Sequence, residues 1–165
     1  MMYRNAYRNF GDHEALVFSH AVGSTGKAVA AERWYELRAT PAGGAFSLYQ
    51  AGTFKNNVNN YWMGSVAMDK DGDMALGFSV DNSTSIDPSI WLNGRLATDK
   101  KGKLEKSVIA HTGTAVQGSV NRWGDYSSMS VDPTDDCTFW YTQEYSDGGF
   151  NWQSHVVSFK FNACH

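Results

Sequence analysis

Proline, cysteine and long apolar runs are all scarce in this sequence. Its 165 residues include only 3 Pro and 2 Cys. The uncharged apolar runs, such as 66–68 and 139–141, are far shorter than the roughly 20 residues of a membrane-spanning helix. A basic excess is also lacking, because 14 Lys and Arg stand against 17 Asp and Glu. These absences argue against a membrane span and against a protein that binds nucleic acid through its phosphates.

Two further features are missing, a secretion signal and a helical apolar stripe. No apolar stretch suited to a signal peptide opens the sequence, so we expect either a cytoplasmic chain or a piece of a protein whose signal lies upstream. No long segment shows capped helical periodicity. By contrast, aromatic residues make up 14% of the chain and there are 16 Gly. This balance is typical of many short strands joined by turns.

The two cysteines, Cys137 and Cys164, match neither a zinc pattern nor a redox CxxC motif. They form one disulfide or remain two separate thiols, and their positions leave both interpretations open.

An internal repeat organises the chain. The segment NFGDHEALVFS at 9–19 aligns without gaps on DKDGDMALGFS at 69–79, and a diverged third copy reads DPTDDCTFWYT at 132–142. Trp34 and Arg38 similarly match Trp91 and Arg95. The repeat predicts three units, at about 1–58, 59–119 and 120–165, in which each polar turn is followed by an apolar run.

Each unit divides into short extended segments separated by polar breaks. We expect strands at 2–7, 14–21, 30–38 and 46–50, then at 65–69, 74–80, 89–96 and 107–111, and finally at 126–131, 138–145 and 153–161. The predicted fold class is therefore all-β, with three four-stranded antiparallel blades of a β-propeller, the last one incomplete. Residues 1–165 would form a single partial propeller domain.

Three blades do not close a ring, since propellers usually have about 4 to 8. Because a twisted sheet cannot bury both faces alone, the outer blades need cover. We expect this cover to come from a homo-oligomer or from other propeller blades.

Several motifs carry a resemblance to a known family. They are YRNFGDHE at 7–14, RWYELR at 33–38, WMGS at 62–65, RWGDYS at 122–127 and CTFWYT at 137–142. Together they resemble the C-terminal part of an uncharacterised family of large bacterial extracellular β-propeller proteins. The resemblance covers nearly the whole chain and implies further blades upstream and a secreted or cell-surface location. In that location a Cys137–Cys164 bridge would be permitted, joining the tail to the second strand of the last blade. The family has no assigned activity and supplies no catalytic residues.

Three alternating carboxylates form the one candidate metal site. Asp69, Asp71 and Asp73 surround Gly72, and such oxygen ligands can converge on calcium. The EF-hand pattern is absent, because this glycine is fourth rather than sixth in the loop. A solvated hairpin turn and a weak calcium site are the two interpretations, and no other cofactor is expected.

A sialidase-like or other glycoside-processing propeller enzyme is the alternative function. Such a site would need arginines for a carboxylate and a tyrosine nucleophile with a glutamate base. The available residues are Arg38, Arg95, Arg122, Tyr141 and Glu144. Arg38 and Arg95 occupy equivalent repeat positions, which favours a structural role for both.

The tryptophans are the better guide to function. Most of the 6 Trp are expected to pack between sheets. Trp62 and Trp123 each lie near a glycine at the start of a unit, and they are the best candidates for binding a glycan or a protein partner. Asp125 and Tyr126 would orient a polar ligand beside them. The sequence thus favours a non-enzymatic extracellular binding or scaffolding module.

Overall fold

The computed structural model describes residues 4–23, 29–41, 43–82, 84–117, 122–148 and 151–164. All regular elements in these ranges are β-strands. They are β1 (Ala6–Asn9), β2 (Glu14–Gly23), β3 (Ala30–Ala39), β4 (Ser47–Phe54), β5 (Asn60–Met68), β6 (Met74–Asn82), β7 (Ile86–Arg95), β8 (Val108–His111), β9 (Ser128–Val131), β10 (Phe139–Ser146) and β11 (Trp152–Phe159). Across the described ranges, no helix has the length and apolar character that crossing a bilayer requires.

The strands form three antiparallel sheets. Sheet 1 has the order β1-β2-β3-β4, sheet 2 the order β5-β6-β7-β8 and sheet 3 the order β9-β10-β11. Every strand pairs with its neighbour in the sequence, so each sheet is a simple meander. The predicted all-β class and the sheets of four, four and three strands are confirmed.

The first hairpin turn of each sheet is built in the same way. Asn9, Asp69 and Asp132 hold aligned positions of the repeat. Each side chain accepts a hydrogen bond from the backbone N–H two residues later, at 2.8, 3.0 and 2.9 Å. This bond mimics a backbone turn and explains the Asn or Asp at that position. The aligned residues therefore have equivalent structural roles.

Sheet 2 lies between the other two sheets. Seven consecutive residues of β6, Met74 to Val80, are buried, which requires cover on both faces of the strand. One face packs with Ala15, Val17 and Trp34 of sheet 1, and the other with Met129, Phe139 and Tyr141 of sheet 3. The stacking supplies the shelter from water that a single sheet lacks.

Two further links hold the sheets together. Arg8 of β1 donates from Nε to the carbonyl of Met68 at 3.1 Å and forms a two-bond ion pair with Asp136, at 2.8 and 2.5 Å. Cys137 and Cys164 form a disulfide with Cα atoms 5.7 Å apart. The arginine ties sheet 1 to both other sheets, and the disulfide ties the segment after β11 to the β9–β10 turn.

Three strands differ by four or more residues from their predicted bounds, and one of them, β4, ends at Phe54 rather than at residue 50. β1 begins at Ala6, whereas the prediction began at residue 2, which lies outside the described residues. β5 begins at Asn60 rather than at residue 65. The cause in β5 is a bulge that interrupts the alternation of side chains, and this bulge positions the candidate site.

Candidate binding cleft

The bulge in β5 sets the position of Trp62. Trp62 pairs with Ser79 and Ser65 pairs with Gly77, so β5 contains one more residue than β6 between these pairs. Met63 has a φ of 55°, which is unusual for a residue other than glycine. Bulges of this kind redirect side chains and twist the strand.

Sheet 3 holds the bulge in place through the carbonyl oxygen of Met63. This oxygen accepts hydrogen bonds from the Ser127 hydroxyl at 2.6 Å and from the Gln143 amide at 3.1 Å. The backbone distortion is thus fixed by two polar side chains from the following unit.

Trp123 precedes β9 and meets Trp62 edge to face. The ring centroids are 6.1 Å apart with an interplanar angle of 73°, a favourable arrangement for two aromatic rings. The indole N–H of Trp123 donates to the Ser79 hydroxyl at 3.1 Å. The indole group is therefore anchored at its polar end, and both rings remain partly exposed.

These two rings line a cleft of about 270 Å³. Its walls come from the β5 bulge, the β6–β7 hairpin and the segment between β8 and β9. The lining residues are Trp62, Asp81, Asn82, Pro88, Val116, Gln117, Arg122 and Trp123. The cleft combines aromatic surface with a carboxyl group, amides and a guanidinium group.

Internal bonds restrain three of the polar groups. Asp81 accepts from the Asn60 amide at 2.8 Å, and burial raises the pKa of its carboxyl group. Asn82 accepts from the backbone N–H groups of Ser85 and Ile86 and so caps the β6–β7 turn. The Gln117 amide donates to the Arg122 carbonyl at 2.7 Å. These contacts pre-organise the walls of the cleft.

Glu144 supports the Trp123 segment from β10. Its carboxylate lies beside the backbone of Gly124, which has a φ of 34°. Burial raises the pKa of Glu144 despite this neighbouring backbone N–H. Gln143 holds Met63 and Glu144 lies against Gly124, so two consecutive residues of β10 contact the backbones that carry both tryptophans.

The structure brings only part of the predicted binding set to the cleft. Trp62 and Trp123 line it. Asp125 does not line the cleft but forms an ion pair with Arg122, which does. Tyr126 is largely exposed and is not among the lining residues.

Sequence reasoning missed several lining residues, chiefly Asp81, Asn82 and Pro88. They lie on the β6–β7 hairpin, between the Trp62 and Trp123 segments in the chain. Asp81 and Asn82 look like ordinary turn residues in the sequence. The one available signal was that these polar residues directly follow an apolar strand. That signal does not reveal that the Trp123 segment lies beside them.

Of the residues of the hydrolase alternative, Arg122 lines the cleft, whereas Tyr141, Arg95 and Arg38 lie away from it. Tyr141 is buried between sheets 2 and 3, and Arg95 is buried with its Nη2 bonded to the Asp99 carbonyl at 3.0 Å. Arg38 pairs with Glu36 at 2.5 Å and lies 3.6 Å from the centre of the Tyr49 ring. Neither Tyr141 nor Arg95 is accessible to a substrate.

Two of the three carboxylates in the candidate calcium turn accept hydrogen bonds from backbone N–H groups. Asp69 accepts from the N–H groups of Asp71 and Asp73, and Asp73 accepts from that of Ala97 at 2.7 Å. Burial and the nearby Asp73 raise the pKa of Asp69 to about 6. Among the described residues, no group of three or more acidic, histidine or cysteine side chains is arranged to hold a metal. Calcium binding by Asp69, Asp71 and Asp73 remains a prediction.

Comparison with known proteins identifies no relative. No protein-family model, curated protein or solved structure matches the chain.

Proposed function

We propose that this chain is a non-enzymatic binding module of β-propeller type that takes a saccharide ring in the cleft lined by Trp62 and Trp123. In this proposal the units at about 1–58, 59–119 and 120–165 are successive blades of a partial propeller. Three stacked meanders with equivalent turns support that interpretation. A cell-surface or extracellular location is part of the proposal. The Cys137–Cys164 disulfide supports it, because such bonds persist in oxidising compartments.

The meeting of Trp62 and Trp123 at one cleft is the observation that carries the binding role. Indole rings offer rigid apolar faces on which the C–H face of a sugar can stack. Asp81 and Arg122 lie within the same walls and can bind hydroxyl groups. At about 270 Å³ the cleft is slightly smaller than the ~300 Å³ at the lower end of small-molecule pockets, which suits one ring of a larger glycan.

The chemistry of the cleft favours binding over hydrolysis. Glycoside hydrolases generally use two carboxyl groups on either side of the bond that is cleaved. Among the described lining residues of this cleft, Asp81 is the only carboxylic acid. Asp81 therefore serves here as a hydrogen-bonding group rather than as half of a catalytic pair.

A glycan array followed by titration of the bound saccharide tests the proposal. We expect Trp62→Ala and Trp123→Ala each to weaken binding at least about tenfold, which corresponds to about 1.4 kcal/mol. Trp152→Ala is the matched control, because Trp152 is exposed on β11 and does not line the cleft. Absence of saccharide binding by the wild type, or equal affinity in all three variants, would overturn the binding site. Turnover of chromogenic sialosides or glycosides would instead support the enzymatic alternative.

A further inference from the structure

Glu32 is a fully buried acid without a partner. It lies on β3, and neither of its carboxyl oxygens has a hydrogen-bond partner among the described residues. No ion pair joins it to a lysine or arginine side chain in those ranges. An isolated buried carboxylate costs so much free energy that the group binds a proton instead.

Glu36 shows how the same strand accommodates a satisfied acid. It lies four residues further along β3, on the same face of sheet 1, and is equally buried. Its two oxygens accept hydrogen bonds from the Arg38 guanidinium group and the Gln50 amide, each at 2.5 Å. Burial on this strand therefore does not by itself leave an acid unpaired, and Glu32 is distinguished by what lies against it.

The carboxyl group of Glu32 packs directly on the bulge in β5. A Cβ atom added at Gly64 would overlap Oε1 and Cδ of Glu32, so the contact depends on the glycine. Gly64 follows Met63, whose φ is 55°, and it lies two residues after Trp62 in the chain. Glu32 therefore contacts the same distorted backbone that positions Trp62.

Side chains from both neighbouring sheets hold this bulge. Ser127 and Gln143 donate to the carbonyl oxygen of Met63, and sheet 1 contributes the Glu32 carboxyl group against Gly64. A neutral acid can pack on this backbone, whereas a carboxylate there would lack both water and a counter-charge. Ionisation of Glu32 therefore has to move the side chain or the bulge until water reaches the charge.

Burial is the largest influence on Glu32, and it raises the pKa of the carboxyl group to about 8. The Ser19 hydroxyl on β2 and the Gly64 N–H favour the ionised form, but neither forms a hydrogen bond with the carboxyl group. The positive charge of the amino terminus acts in the same direction, with a smaller effect than burial. Tyr141 on β10 stays a neutral phenol, because burial raises its pKa. Phe54 of β4, the strand partner of Glu32, is apolar.

We propose that Glu32 is a positioning residue whose proton keeps Trp62 in the cleft, so that loss of this proton displaces Trp62 and weakens binding. This inference rests on the proposed function of the cleft, to which it adds regulation by pH. In the protonated state Glu32 packs on Gly64, and the bulge keeps Trp62 against Trp123. In the ionised state the bulge shifts and the two rings separate. Saccharide affinity therefore falls as the pH rises through the pKa of Glu32.

Fluorine NMR of protein labelled with fluorotryptophan tests this movement without any saccharide. Single substitutions assign the signals of the 6 Trp. Between about pH 7 and about pH 10, the wild-type signals of Trp62 and Trp123 should shift with a midpoint near the Glu32 pKa of about 8, while that of Trp152 stays fixed. Glu32→Gln should abolish the transition, and Glu36→Gln, the matched control on the same strand, should retain it. Glu32→Met is a second variant without a titrating group if Glu32→Gln does not fold.

Saccharide titration at two pH values tests the regulation. At about pH 9, one unit above the pKa of Glu32, roughly one tenth of the molecules keep the proton, so wild-type affinity should be about tenfold weaker than at about pH 7. Glu32→Gln should bind equally well at both pH values.

The outcomes separate this proposal from the proposed function. A Trp62 signal that is independent of pH in the folded wild type, or that shifts equally in Glu32→Gln, would overturn the role of Glu32. So would a simultaneous shift of all 6 signals, which would indicate global unfolding. A pH transition of Trp62 with no saccharide binding at any pH would support the link between Glu32 and Trp62 and overturn the proposed function alone.

Discussion

The side-chain amide of Gln143 donates a 3.1 Å hydrogen bond to the carbonyl oxygen of Met63. The donor lies on β10 of sheet 3 and the acceptor in the bulge of sheet 2. Gln143 also accepts from the N–H of Glu144 at 2.8 Å, and the Glu144 carboxylate lies beside the backbone of Gly124. This one side chain therefore couples the segments that carry Trp62 and Trp123.

Removal of the Gln143 amide is expected to loosen the cleft. Gln143→Leu leaves the partly buried Met63 carbonyl with one partner fewer and should lower the free energy of unfolding by about 1–3 kcal/mol. It should also weaken saccharide binding. Gln153→Leu is the control, since Gln153 is exposed and its substitution should cost less than about 0.5 kcal/mol. Denaturant unfolding and ligand titration measure both effects, and equal stability of the two variants would contradict the account.

The absence of a side chain at Gly77 is expected to be essential for the contact between sheets 2 and 3. A Cβ atom there would overlap the Tyr141 ring, so Gly77→Ala should lower the free energy of unfolding by about 1–3 kcal/mol. Gly23→Ala is the matched control in a strand, because nothing lies within 4 Å of its Cβ position. Thermal unfolding of the two variants provides the comparison. An unchanged melting temperature in Gly77→Ala would show that the two sheets are not in this contact.

Stability is expected to fall with rising pH because of Glu32. This side chain is fully buried on β3, and burial raises the pKa of its carboxyl group from 4.5 to about 8. The folded state thus binds a proton that the unfolded state releases above pH 4.5. The stabilisation that this proton provides is fully present below that pH, and it is lost as the pH rises towards about 8.

Glu32→Gln isolates this effect. The amide resembles the protonated acid, so the variant should be more stable than the wild type at pH 7, by on the order of 2–3 kcal/mol. The two proteins should converge near pH 4. Asp69, whose pKa is raised to about 6, retains its own contribution in both proteins. Parallel stability curves across this pH range would show that Glu32 is not buried as an acid.

Reduction of the Cys137–Cys164 disulfide is expected to destabilise sheet 3. The two cysteines are 27 residues apart in the sequence. A disulfide that closes a loop of that length stabilises the folded state by about 3–4 kcal/mol in the chain-entropy model. Thermal unfolding with and without a reducing agent measures this loss. The Cys137→Ser/Cys164→Ser double variant, which should be insensitive to the reductant, is the control. Two reactive thiols in the denatured, unreduced protein would contradict the disulfide.

The sequence allowed the meander order to be predicted because local chemistry determines it. Asn9, Asp69 and Asp132 form equivalent side-chain turns, and the apolar runs after them become buried strands. The bulge at Met63 could not be predicted, because its positive φ depends on Ser127 and Gln143 from a distant unit.

The same difference between local and long-range contacts explains why only part of the cleft could be predicted. Trp62 and Trp123 were identifiable as large aromatic residues at the starts of units. Their approach to Asp81 and Asn82 depends on the packing of the β6–β7 hairpin against the segment before β9. The sequence contains no local signal of that contact.

The indole N–H signals in a two-dimensional NMR spectrum provide the most direct test of the binding account. The chain has 6 Trp, and single substitutions assign their signals. On titration with a saccharide from the array, the signals of Trp62 and Trp123 should shift together along one binding curve while that of Trp152 stays fixed. Shifts confined to Trp140 or Trp152, with Trp62 and Trp123 unmoved by a bound saccharide, would contradict the account.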